Sequence, residues 1–231
     1  MESLEYLERL WERKRALDAR ELADAQLAAR LRELRAWQAA RLARTYEDLR
    51  REPRYRAAVE FFLTDLYGPH DFGTRDRLFD RAWERLRRTL PRIVLSALAD
   101  TVELQGLTAE LDHAMVAELA PGPVTQESYA AAYHAVGHPA QRARQIELIV
   151  GIGSMLDRAV AHPLTGLALV AARVPAYATG FGALQSFFER GYDAFREMKG
   201  AASLLDTIRS REMQLMQALL RGDPRPLDSR M

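Results

Sequence analysis

Residues 2–52 contain neither proline nor glycine; the first proline is Pro53 and the first glycine is Gly68. Proline ends helices by removing an amide donor and crowding the preceding turn, and glycine by its backbone freedom. A run this long without either has nothing to interrupt helical growth. Its apolar residues support the same conclusion. Leu4, Leu7 and Trp11 recur at helical spacing, as do Leu27, Leu31, Leu34, Leu42, Tyr46 and Leu49. The remaining faces are rich in arginine and glutamate, which suits solvent or a partner chain. Residues 1–52 are therefore expected to form one very long helix, or a helical hairpin turning near Asp18–Asp24, that packs on or projects from the rest.

From Pro53 onward the punctuation is regular. Pro53 opens a helix at its first turn, and Gly68-Pro69 closes it. Thr74 caps a helix over about 75–90, and Pro91 opens a longer one that Gly106 could break. Thr125 caps 126–136, which Gly137-His138-Pro139 ends, and a helix over about 140–161 stops before Pro163. Pro163 and Pro175 each begin another, the second carrying the stripe Phe181, Leu184, Phe188 and Phe195. A last helix runs over about 201–220. No segment alternates with period two for long enough to make a strand. The expected fold is all-α, a multi-helix bundle of eight to ten helices with a core over 53–221 and a flexible tail over 222–231.

Composition narrows the function classes. The 231 residues carry a net charge of +1, so the chain is not built to coat nucleic acid or an anionic membrane. Residues 1–92 hold 21 Lys/Arg against 17 Asp/Glu, and residues 93–231 hold 12 against 15. That mild split fits an exposed, ion-paired first third. Cysteine is absent, which excludes disulfides, thiolate metal sites and cysteine nucleophiles. The start, MESLEYLERLWERKR, is too charged for a signal peptide. No apolar run reaches the roughly 18–20 residues of a membrane span. The cytoplasm is the expected compartment.

The stretch FFLTDLYGPHDFGTRD (61–76) carries the first candidate site. At about 100° per residue, Arg56, Glu60 and Thr64 form one polar stripe. Asp65 instead falls between Ala58 and Phe61 on the apolar arc, with Tyr67 closing the stretch. A buried carboxylate needs a cation or several donors. Arg75 is the first choice by chain proximity and Arg142 the second, and removing Asp65 is expected to cost about 3–5 kcal/mol. Three more polar residues lie on apolar arcs: Arg142 and Gln145 among Ile146, Ile149, Ile152 and Leu156, and Glu212 among Leu204, Ile208, Leu215 and Leu219. The economical expectation is a shared cluster in which Arg142 bridges a carboxylate. It serves either as a core clamp or, facing a cavity, as a ligand site.

Other motifs are weaker. His134 and His138 stand four apart, a spacing that serves metal ligation on a helix, but His138 lies between Gly137 and Pro139, where the helix ends. Glu110 and His113 give a single Glu-x-x-His, half of a di-iron signature. No metal, haem or other cofactor is expected on this basis. Gly151-Ile-Gly-Ser154 lacks the Lys-Ser/Thr of a phosphate loop, and the glycines suit close helix approach instead. Met198, Met213 and Met216 read as core filling.

Three stretches, WQAARLARTY (37–46), FFLTDLYGPHDFGTRD (61–76) and ALQSFFERGYDAFREMKGA (183–201), resemble the bacterial FFLEELY-motif proteins. The signature here is Phe61-Phe62-Leu63-Thr64-Asp65-Leu66-Tyr67, with Thr-Asp in place of Glu-Glu. The resemblance covers most of the chain and implies a soluble, helical bacterial protein; it implies no activity. The expected function is a non-enzymatic helical binding or interaction protein. Its partners would be a second copy, docking through residues 2–50, or a small apolar ligand in the bundle. The alternative is an enzyme or sensor that uses the inward polar cluster, with a metal or haem.

Overall fold

The computed structural model describes residues 2–66, 92–178 and 182–223. Among the described residues there are ten α-helices and no strand. They are α1 (Glu2–Ala23), α2 (Ala25–Thr45), α3 (Glu47–Arg51), α4 (Pro53–Phe61), α5 (Arg92–Glu118), α6 (Gln126–Val136), α7 (Pro139–Ala161), α8 (Thr165–Ala178), α9 (Gly182–Met198) and α10 (Ala202–Leu220). A single π-helical turn, Phe62–Leu66, continues α4. The all-α fold is as the sequence predicts.

The breaker-free segment is a hairpin rather than one helix. Asp24 interrupts it as the N-cap of α2: its Oδ1 accepts from the amides of Gln26 and Leu27 at 2.9 and 3.0 Å. Arg35 pairs with Glu21 at 2.9 Å. Along a continuous helix those residues would stand about 21 Å apart, so the chain has folded back. The Thr125 cap forms as expected, its hydroxyl accepting from the Ser128 amide while Ser128 reaches back to the Thr125 amide. Gly106 does not break α5. The expected Thr74-capped helix lies outside the described residues.

One expectation fails. Pro175 does not open a helix; it sits inside α8, and the next helix starts at Gly182. A proline within a helix forfeits one bond to the residue four earlier. Here α8 ends three residues later, so little further helix depends on it.

The chain divides into two compact units. One comprises residues 1–38, 97–152 and 205–231, the other residues 39–96 and 153–204. In the first unit, Leu34, Met115, Leu119, Tyr129, Tyr133, Ile146, Leu215 and Leu219 make a buried core. Trp37 stacks on Tyr129 with ring centroids 4.1 Å apart. In the second unit, α4 and α9 approach closely. Phe61 meets Phe187 at 5.2 Å and Phe62 meets Phe195 at 5.9 Å between ring centroids. Gly191 permits this approach, because a Cβ there would stand 2.9 Å from the tip of the Phe61 ring. Lys199 and Gly200, both with positive φ, end α9, and Arg54 Nε donates to the Met198 carbonyl at 3.1 Å.

Candidate functional site

In the second unit, the π-turn after α4 presents Asp65. The Thr64 hydroxyl lies 2.8 Å from the Glu60 carbonyl and 3.0 Å from Asp65 Oδ2. It has one hydrogen to donate, so these two acceptors compete for it. Asp65 is buried, as its position on the helical arc requires, and it is charge-paired. The arginine on it is Arg190 of α9, whose Nε and Nη2 both donate to Oδ1. Arg75, the first choice from sequence, and Tyr67 lie outside the described residues. Glu60, on the polar stripe, accepts from Arg50 Nε at 2.6 Å.

Arg142, the second choice for Asp65, is occupied elsewhere. It is buried in the first unit, with its guanidinium 3.4 Å from the Tyr133 ring centroid. Its Nε donates to the Gly137 carbonyl at 2.7 Å, and its Nη2 contacts Met115 Sδ at 3.5 Å. No carboxylate is among these contacts, so Arg142 does not bridge the acidic residues as expected. Gln145, half-buried one turn on, donates to Thr108 Oγ1 at 2.8 Å. Glu212 is half-buried on α10. Their shared position on apolar arcs is therefore real for Arg142 and partial for Gln145 and Glu212. What it does not produce is a cluster centred on Arg142. His134 is exposed and its Nδ1 lies 2.9 Å from the Leu220 carbonyl. His138 is exposed too, at φ 58° beyond the end of α6. Among the described residues, no three His, Asp or Glu side chains are grouped as a metal site requires.

A second buried acid escaped the sequence reading. Asp112 of α5 is buried and accepts from Arg35 Nε at 3.3 Å and Gln38 Nε2 at 3.1 Å. Arg35 also donates to both Glu21 oxygens, at 2.9 and 3.1 Å. Burial pushes the Asp112 carboxyl above the ordinary carboxylate range, and Arg35 and Gln38 offset part of that. The signal was present: Asp112 shares a helical face with Met115 and Leu119, both core residues. The network joins α1, α2 and α5 and ties the hairpin down.

The remaining feature is a surface. Helix α8 has no buried residue. Its inner side is fastened to α9: Gln185 Nε2 donates to the Leu169 carbonyl at 2.6 Å, and Arg173 pairs with Glu189 at 2.8 Å. Tyr177 reaches Ser186 Oγ at 2.8 Å, and Gly166 lies against Tyr192. Its outer side carries Leu167, Val170 and Val174, with Leu164 just before the helix and the exposed part of the Tyr177 ring at the margin beside α9. All five are between 58% and 77% exposed. The spacing from Leu167 to Tyr177 is three, four and three, the step of a seam that packs on another helix.

A family model described as Domain of unknown function (DUF8198) matches residues 18–226. No curated protein and no solved structure matches the chain.

Proposed function

Because the chain belongs to the DUF8198 family, whose description assigns no activity, we propose its function from its own geometry: a helical interaction protein that docks through the outer face of α8 onto a second copy of itself. The observation that carries this is the row of exposed apolar side chains from Leu164 to Tyr177. By area the five expose on the order of 600 Å², the upper end of the largest patch found on ordinary monomers. A specific interface takes about 800 Å² from each partner. The patch supplies most of that, and Ala168, Ala171 and Ala172 beside it are exposed and small enough for close helix approach.

The face also indicates its occupant. Arg173 is the one charged residue of α8, and Glu189 already neutralises it. A partner chosen by charge finds nothing to hold. A neutral face whose ridges repeat at heptad steps is complementary to its own copy under a two-fold axis. Sequence patterning favoured residues 2–50 for this contact. However, Leu31, Leu34, Leu42 and Leu49 are buried within the fold, and that leaves α8 as the larger free apolar surface among the described residues. With an area below the standard size and the entropy of association to overcome, the dimer is a concentration-dependent one.

The chain has no cysteine, so Val170→Cys provides a single reporting thiol. Light scattering across a wide concentration series should show a monomer–dimer equilibrium that Val170→Glu abolishes. The thiol should label quickly in dilute solution and be protected at high concentration. A strictly monomeric protein, or association unchanged in Val170→Glu, refutes the proposal. A thiol unreactive even in the dilute monomer shows that the chain covers its own face, which refutes it as well. Binding of α8 to neutral lipid vesicles without self-association points to a membrane surface instead. No single described helix is long and apolar enough to cross a membrane.

A further inference from the structure

We infer that Arg142 is the binding residue for a small oxyanion, a carboxylate or a phosphate. The argument begins with charge. The residue is 6% exposed, and its contacts are a neutral carbonyl, a neutral thioether and the face of a phenol ring. A buried cation without a counter-ion is costly, and a cation–π contact recovers only part of that. The surrounding helices do not supply the missing charge. Arg142 lies in the first turn of α7, whose amino end carries a partial positive charge, while Gly137 follows the carboxyl end of α6, which carries a similar partial negative one. The two ends act on the guanidinium with opposite sign, and among the described residues no carboxylate contacts it.

The geometry leaves a specific part of that charge available. Tyr133 covers one face of the guanidinium and Gly137 takes Nε. Among the described residues Nη1 makes no hydrogen bond. An unbonded Nη1 on a planar group already fixed by stacking and by a carbonyl matches the oxygens of a carboxylate or phosphate. The ring and the carbonyl pre-set the fork, so little side-chain freedom remains to be lost on binding. This site lies on residues other than those of α8 and stands independently of self-association.

The test titrates the full-length protein with sodium phosphate and, separately, sodium acetate, with chloride adjusted to constant ionic strength and pH. Arg142→Lys and Arg142→Met are run alongside. In the wild type, an anion present at roughly ten times its dissociation constant raises the thermal midpoint by about 3–6 °C over chloride. Arg142→Lys keeps the charge but loses the fork, and should bind at least about tenfold more weakly; Arg142→Met should not respond. A response to phosphate alone identifies a phosphoryl group as the ligand, and responses to both anions extend the class to carboxylates. A wild-type midpoint that ignores both anions, or a shift of equal size in the variants, overturns the inference and leaves Arg142 as a clamp between α6 and α7. Should Arg142→Met fail to fold, Arg142→Lys alone decides by the same comparison.

Discussion

Replacing Asp65 by alanine tests the pairing that the fold builds around the π-turn. From sequence alone the expected loss is about 3–5 kcal/mol, the figure for breaking a fully buried ion pair. The structure lowers it. The Asp65 side chain is 8% exposed, but the Arg190 side chain is 50% exposed. When Asp65 is removed, the guanidinium therefore rehydrates instead of being stranded in the core. Fully exposed pairs contribute about 0–1 kcal/mol, and hydrogen bonds to charged groups about 1.5–3. Two donors on one oxygen of a buried carboxylate, with the cation half in water, place the Arg190–Asp65 coupling at about 1–2 kcal/mol. The assay is a double-mutant cycle of Asp65→Ala, Arg190→Ala and the double variant, followed by urea denaturation with circular dichroism. The cycle isolates this pair from every other contact Asp65 makes. A coupling below about 0.3 kcal/mol, within the error of additivity, would show that the pair adds nothing. A coupling above about 3 kcal/mol would show that Arg190 is desolvated in solution.

Two further substitutions probe the packing and the buried network. Gly191→Ala gains about 1 kcal/mol of helix propensity, but its methyl meets the Phe61 ring at 2.9 Å, and overpacking costs about 1–3. A net loss of up to about 2 kcal/mol is expected, reduced in the Phe61→Leu background; a clear gain would show that α4 and α9 are not in close contact. Asp112→Asn tests the raised carboxyl. With its folded pKa above the unfolded one, Asp112 contributes stability that is full below the unfolded value and lost as pH rises through the folded value. The stability of the wild type relative to Asp112→Asn should therefore improve as pH falls from 7 toward 4 in urea melts. An unchanged difference across that range would mean that Asp112 titrates alike in both states.

Much of the fold was legible because proline, glycine and Thr125 mark helix ends through local chemistry. Thr125 and Gly137 set the bounds of α6 without help from tertiary contacts. Pro175 misled because local rules do not register how close α8 already is to its end. Burial of Asp65 and Arg142 could be read from the helical wheel, which reports direction. Their partners could not: Arg190 is 125 residues from Asp65 in sequence, and the wheel carries no information on which faces meet. The opposite failure is α8, whose two sides are both apolar in sequence. Only the packing against α9 shows which of them is left uncovered.

The division of the chain has a consequence for how the protein is made. The first unit needs residues 1–38 and 205–231 as well as 97–152, and the second needs 39–96 together with 153–204. Neither can be cut out as a continuous fragment, so a truncation that removes α2 or α10 takes away part of a core. On the ribosome, the amino-terminal hairpin emerges long before α10, which supplies Leu215 and Leu219 to the same core. The first unit must then wait for α10 before its interior can close, with Leu34 and its neighbours lacking their final cover in the interval. Nascent chains of this protein should accordingly be chaperone clients until α10 has emerged, and lose chaperone contacts once it has, as crosslinking of stalled chains would show.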